Sequence, residues 1–344
     1  MFIVPFLCFL SIFSFQKVFG ETECPLTTVI EDRRIDKTKL RLVQFNVEWL
    51  FIDYYATMDC PGNVCTWKNQ TEAQIHLNTV AKIIDELNPD IINFCEIEGC
   101  DELNMLKDVL SNGSSYNSYL KKGTDTATGQ NVGLLTRVDP LISLYRTESK
   151  YAYPIINSTC GYTGSPSSSG VSKHYITEFI LDNMNIALIS AHLIAIPTDP
   201  ARCAQREAQA YVLQEVISDY IKKDYEIILL GDFNDYDAEI VDANNDKPTS
   251  QVLSILKGYN DNKYNLYSIA ETIVKQERYS DWWDSDNNCD TSSQTDYSMI
   301  DHILVTDAIR KNIINTFIYH AYNGSCTTYN SDHYPVVIDL VFTN

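Results

Sequence analysis

The hydrophobic pattern of this chain is a series of short apolar runs that end in acids or amides. Residues 227–231 (IILLG) pass directly into Asp232, Phe233, Asn234 and Asp235. An uninterrupted run of this length predicts a strand buried on both faces. Similar runs predict strands over 40–47, 90–97, 131–137, 174–181, 185–193, 299–305, 314–321 and 334–342. Between them, Ala73, Leu77, Val80, Ile84 and Leu87 recur at helical spacing, with Thr71 as a candidate N-cap and Asn88-Pro89 as the stop. Further helices are predicted over 101–110 and 199–221. Apolar strands interleaved with amphipathic helices imply an α/β fold of two packed β-sheets flanked by helices. No linker-like stretch divides residues 21–344, which predicts a single domain.

Residues 1–20 break this pattern. They are almost wholly apolar and end at Gly20 before Glu21, a length that suits a secretory signal peptide better than a membrane span. The alternative is an uncleaved anchor, because Phe19 is a poor cleavage neighbour and the positive n-region is reduced to the α-amine. No later segment is long and apolar enough to span a bilayer. Sequons at Asn69, Asn112, Asn157 and Asn323 agree with a secreted, extracellular glycoprotein.

Cysteine usage points the same way. Of 10 cysteines, Cys8 leaves with the signal, and an odd set remains, so at least one thiol is unpaired or bonds another chain. Cys95, inside a predicted strand, is the candidate for the buried free thiol. Disulfide candidates are Cys60–Cys65, Cys160–Cys203 and Cys289–Cys326. The short Cys-x-x-Cys pairs of structural zinc sites are absent. Charge narrows the partners. Loss of Lys17 with the signal leaves 25 basic residues against 46 acidic, a formal net charge of −21. Such a surface favours a soluble monomer and argues against a broad basic face for nucleic acid.

Five predicted strands carry a polar group of catalytic type near one end: Asn46 with Glu48, Glu96 with Glu98, His192, Asp232 with Asn234, and Asp301 with His302. Asp332-His333 precedes a sixth. Each has an ordinary explanation alone: a turn at Asp232, a satisfied core histidine at His192, a rim carboxylate at Glu96. Taken together they fall where loops build active sites.

These residues also carry a resemblance. "QFNVEWL", "DIINFCEIE", "ISAHL", "LLGDFND", "MIDHILV" and "SDHYPVV" occur in the order and spacing of the endonuclease/exonuclease/phosphatase superfamily, the group containing deoxyribonuclease I. The resemblance runs from about Lys39 to Val341 and implies a four-layered α/β sandwich. It implies Mg2+ (Mn2+ as a substitute) held by Glu96 with Asp332 as a second ligand, and Asn46 orienting the metal ligand. It implies that His333, supported by Asp301, binds the scissile phosphate or accepts the water's proton. His192 matches a histidine that donates to the phosphate or leaving group. Asp232 and Asn234, two apart on an extended chain, would face one water or phosphate oxygen together.

The chemistry asks for these residue types. Attack on an anionic phosphodiester needs charge neutralisation, an activated water and a stabilised leaving oxygen, and magnesium prefers oxygen ligands. Either Asp232 or His333 could be the base. Two positions depart from the deoxyribonuclease I pattern. Glu98 stands where those nucleases carry a basic residue, and the carboxylate expected behind His192 has no match beyond nearby Gln130. A structural Ca2+ loop over 235–246 lacks the glycine of an EF-hand and reads as a polar loop. The tryptophans of "DWWD" (281–284) read mainly as buried packing, with stacking on a base or headgroup as the alternative. The resulting reading is a secreted Mg2+-dependent phosphodiester hydrolase, a nuclease acting on DNA or RNA. The rivals are a phosphatase or sphingomyelinase-type phospholipid phosphodiesterase, and a non-catalytic secreted binding module.

Overall fold

The computed structural model describes residues 23–52, 65–259, 264–284, 286, 288–290, 294–322 and 328–342. The signal segment, Cys60, Asn323 and Cys326 lie outside these residues, and with them the Cys60–Cys65 and Cys289–Cys326 pairings. In chain order the strands are β1 (Lys39–Leu50), β2 (Ile91–Ile97), β3 (Asn117–Leu120), β4 (Asn131–Thr136), β5 (Tyr151–Tyr153), β6 (Ser167–Ser169), β7 (Lys173–Leu181) and β8 (Met184–His192). They continue with β9 (Glu226–Asp232), β10 (Tyr267–Ser268), β11 (Asp281–Trp282), β12 (Tyr297–Ser298), β13 (Asp301–Val305), β14 (Ile313–Ile318) and β15 (Val336–Val341). Six strands form one sheet in the order β14-β15-β1-β2-β4-β3, and five form the other in the order β10-β13-β9-β8-β7.

The period-2 alternation of each strand decides the layers. Leu42 of β1, Leu134 of β4, Leu188 of β8, Leu230 of β9 and Ile303 of β13 meet between the sheets. Val43 and Phe45 face outward onto helices Gln70–Leu87 and Cys100–Val109. On the other side Ile189 and Leu229 pack under Pro200–Ile221. The result is the four-layered sandwich expected.

Local details differ from the sequence reading. The first helix is capped by Asn69, whose side chain accepts from the Glu72 N–H, rather than by Thr71. Asn88 ends it in a left-handed conformation, and Asp199 caps the long helix. Cys160–Cys203 forms as expected and Cys95 is free and buried. Cys24–Cys100 is a pairing the spacing gave no hint of. Among the described residues no helix is long and apolar enough to cross a membrane.

Candidate active site

On the inter-sheet face, the strands turn from apolar to polar toward one end. β1 runs Leu42, Gln44, Asn46; β9 runs Ile228, Leu230, Asp232; β8 ends at His192; and β13 begins at Asp301. These ends meet at one edge of the sandwich, where His192 and Asp232 line a cleft of about 760 Å3 and Asn46 and Asp301 are buried. Gly231 makes the approach possible. Its φ is +146°, and a Cβ there would lie 1.8 Å from the Ala191 carbonyl oxygen. Backbone irregularities aim the glutamates. The β1–β2 register shifts between Asn46 and Leu50, and Glu48, Trp49 and Glu96 all have positive φ. Non-glycine residues in this region are strained, and such strain clusters at functional sites.

Asn46 is the hub. Its Nδ2 donates to Asp232 Oδ2 at 3.0 Å and Glu96 Oε1 at 3.3 Å, and lies 3.3 Å from His333 Nε2. Its Oδ1 accepts the Glu48 N–H, so its side chain is positioned to orient Glu96. The second Glu96 oxygen accepts the Trp49 N–H at 3.1 Å. His333 Nδ1 lies 2.7 Å from Asp301 Oδ2. Ser331 links the segment to β1, donating to the Asn46 carbonyl at 2.8 Å, while the Asp332 N–H donates to Glu48 Oε2 at 3.0 Å.

Asp232 and Asn234 do meet, but not as an extended pair. β9 ends at Asp232, Asn234 has φ +51°, and its N–H donates to Asp232 Oδ1 at 2.9 Å. This Asx turn combines the turn and the site readings. His192 Nε2 lies 3.5 Å from Asp232 Oδ2 and 3.4 Å from the buried Lys173 ammonium. Gln130 accepts from Lys173 at 3.2 Å, so it reaches His192 only through that lysine. His302 points away from the cleft and meets the Asp235 carbonyl.

Two members of the site have no clear signal in the sequence. Asp281 lies 3.6 Å from His333 Nε2 and groups with Asp332 and His333 in an arrangement able to hold a metal ion. Lys173 opens β7 as a buried cation. The "DWWD" tryptophans divide: Trp282 is buried, and Trp283, 65% exposed, stands on the cleft wall. In the 235–246 loop Asp235 pairs with Arg206 and Asp237 with Lys257, while Asp246 lines the cleft.

Electrostatics explain what the cleft lacks. Among its described lining residues seven are Asp or Glu and none is Lys or Arg. Burial and the Asp301 charge push Asp232 up to about 8, although His333 opposes them. Burial, with Asp281 and Glu96, pushes Asp332 up to about 7. Asp281 rises to about 6, mainly through burial. Glu48 stands well above the carboxylate range through burial and Asp332. Burial alone would lower His333, but Asp301, Asp332 and Asp281 carry it well above the usual histidine value. Burial, Lys173 and His333 hold His192 well below it. Oxygen donors crowded around His333, with no lining Lys or Arg, suit a divalent metal.

Solved structures share this fold. The truncated TDP2 of Caenorhabditis elegans is 15% identical with a TM-score of 0.51, covering 88% of this chain and 97% of that one. The 3' phosphatase NExo of Neisseria, bound to a product DNA hairpin, is 15% identical with a TM-score of 0.54, covering 88% and 99%. An endonuclease/exonuclease/phosphatase of Beutenbergia cavernae is 14% identical with a TM-score of 0.52, covering 89% and 72%. No curated protein matches the sequence. The model of the Endonuclease/Exonuclease/phosphatase family matches residues 43–333, which take in every residue of the cleft described above. By that match the chain belongs to the endonuclease/exonuclease/phosphatase family, and is a metal-dependent phosphoesterase.

Proposed function

We propose that the protein is a secreted, Mg2+-dependent phosphodiester hydrolase acting on nucleic acid. The observation that carries this reading is the convergence of Glu96, Asp232 and His333, held by buried Asn46 and Asp301, in a cleft of seven carboxylates with no lining Lys or Arg. Glu96 and Asp332, with Asp281 beside them, are the donors for magnesium or manganese. Bound there, the cation would supply the charge that neutralises the phosphate and polarises its oxygen.

The chain's own groups divide the remaining work. His333, held at Nδ1 by Asp301 and carried above neutrality, donates from Nε2 to a phosphate oxygen. Asp232, oriented by Asn46 and the Asn234 N–H, accepts the proton of the attacking water. His192 Nε2 faces the same space from β8 and is the group nearest to a leaving oxygen. DNA products in the similar structures of NExo and of TDP2 from D. rerio support nucleic acid as the polymer. The apolar residues 1–20, the sequons and the bridges Cys24–Cys100 and Cys160–Cys203 support secretion, and the acidic surface supports a monomer.

One observation favours a second reading, a compact phosphoester such as a phospholipid headgroup. The carboxylate-rich wall beside exposed Trp283 suits a cationic or aromatic group better than a long polyanion. Assay of the purified protein on plasmid DNA, RNA, sphingomyelin and bis-p-nitrophenyl phosphate, with and without magnesium, separates the two. Turnover of a nucleic acid that stops in excess EDTA is expected. Undiminished turnover in EDTA would sink the metal-dependent mechanism.

A further inference from the structure

The core between the sheets contains a line of polar side chains that the chemistry above does not use. Gln44 of β1, Asn93 of β2 and Tyr175 of β7 are each 0% exposed. Around them lie Leu42, Cys95, Leu134 and Leu188. The Tyr175 hydroxyl donates to Asn93 Oδ1 at 2.6 Å, and Asn93 Nδ2 donates to Gln44 Oε1. Gln44 Nε2 then donates to Asp301 Oδ1 at 3.0 Å. The other Asp301 oxygen faces His333 Nδ1.

The direction of this line follows from its end. Gln44 turns its amide nitrogen, which only donates, to Asp301 Oδ1. That leaves Gln44 Oε1 to accept from Asn93, and Asn93 Oδ1 to accept from Tyr175. Every donor therefore points at Asp301. Gln44 and Asn93 are register partners on neighbouring strands, while Tyr175 reaches across from the opposite sheet. Polar groups in a dry core are costly unless satisfied, and apolar residues of similar volume would fill this layer at least as well.

We propose that Gln44, Asn93 and Tyr175 are positioning residues for the Asp301–His333 pair. They fix the plane of the Asp301 carboxylate from the side opposite the cleft. Asp301 in turn keeps the His333 Nδ1 proton, and Nε2 is presented to the phosphate. The inference rests on the catalytic role given above to His333 and Asp301. It places three buried residues of the inter-sheet core in control of a group at its edge.

The test compares wild type with Gln44→Met, which removes the amide at similar volume, and with Tyr175→Phe, which removes one oxygen. On bis-p-nitrophenyl phosphate kcat should fall roughly 10-fold or more for Gln44→Met and a few-fold for Tyr175→Phe, since a hydrogen bond to a charged group is lost or weakened. KM should stay within about 2-fold, because substrate contacts are untouched. Thermal melts should be unchanged or higher. The low-field Nδ1–H resonance of His333, assigned by its loss in His333→Gln, should move upfield in both variants. In an Asp301→Asn background, Gln44→Met should cost little more. Wild-type kcat with an unshifted resonance overturns the proposal, as does an equal loss with and without Asp301. If Gln44→Met fails to fold, Tyr175→Phe decides by the same readouts. A wild type inactive on every phosphoester would overturn the proposed function instead, and the resonance shift would still judge the positioning line.

Discussion

The two ends of β1 handle charge in opposite ways. At the Lys39 end, a depression of about 590 Å3 holds Arg33, Lys39, Arg41 and Arg137. Each has a partner: Arg33 with Asp139, Lys39 with Asp36 at 3.2 Å, Arg137 with Asp90 at 3.4 Å. Arg41 grips Asp339 with two bonds of 2.6 and 3.0 Å. Burial would raise Asp139 and Asp339, yet their arginine bonds hold both below the ordinary carboxylate value. At the Asn46 end the acids face one another, and Asp232, Asp281 and Asp332 are pushed up. Matched charges hold a fold together. Acids crowded around a single histidine mark a place suited to a divalent cation.

The largest expected effect removes that cation or its ligand. Glu96→Gln, or chelation of the wild type, should reduce turnover by about 10³-fold or more, because several kcal/mol of charge stabilisation are lost. Single-turnover rates with and without EDTA measure it. A Glu96→Gln enzyme at near-normal rate would erase the contrast between the two ends.

Next come the groups that move protons. Asp232→Asn and His333→Ala should each cost ~10²–10⁴-fold in kcat. Asp232→Asn should leave the melt unchanged or raise it, since it relieves crowding among buried acids, whereas His333→Ala removes the partner of Asp301 and should lower it while the chain still folds. If both variants melt normally and work normally, the cleft is not the site.

The pattern of strand ends explains how much of this was legible. Asn46, Glu96, Asp232, Asp301 and Asp332-His333 each interrupt or flank an apolar run, and a run that ends in a carboxylate is visible in one dimension. The layers were legible for the same reason, period-2 faces being a local signal. Asp281 was not legible, because β11 is two residues long and its register with Ser298 is set by the rest of the fold. Lys173 was hidden as well: a lysine at a strand's start reads as solvated, and only the β7–β8 pairing sets it opposite His192. The left-handed turn at Asn234 was misjudged because the strand's apolar run suggested extension through it.

A pH experiment sharpens the comparison away from the cleft. His174 is buried on β7, where its Nε2 accepts the Thr147 N–H at 2.9 Å. Burial and Arg146 push it down to about 3. The folded state thus refuses a proton that the unfolded chain takes near 6.5. Its neutral form stabilises the fold fully above that value, and the contribution is lost as pH falls from 6.5 toward 3. Between pH 7.5 and 5 the wild type should lose about 2 kcal/mol more than His174→Gln. Urea denaturation at both values provides the measurement, and equal losses would contradict it.

At the matched end, Arg41→Met should cost about 1 kcal/mol and leave kcat untouched, because the pair is partly exposed and screened. A loss of activity without loss of stability would show that this end, too, serves the chemistry.

The smallest effect is expected at Glu98, where charge acts on affinity alone. Its backbone is held by the N–H donating to Leu50 and the carbonyl accepting Asn131 Nδ2 at 2.8 Å. A protein that neutralises phosphates with Lys and Arg shows a log-affinity slope of about −0.9 per phosphate on duplex DNA. The acidic cleft provides few such contacts, so the wild-type slope should be shallow. Glu98→Arg should steepen it by roughly one contact and lower KM for DNA a few-fold, while a small diester is barely affected. Magnesium is held fixed during the salt titration, since it both fills the site and screens the acidic surface. A steep wild-type slope, unchanged by the substitution, would mean that a basic groove lies elsewhere on the chain.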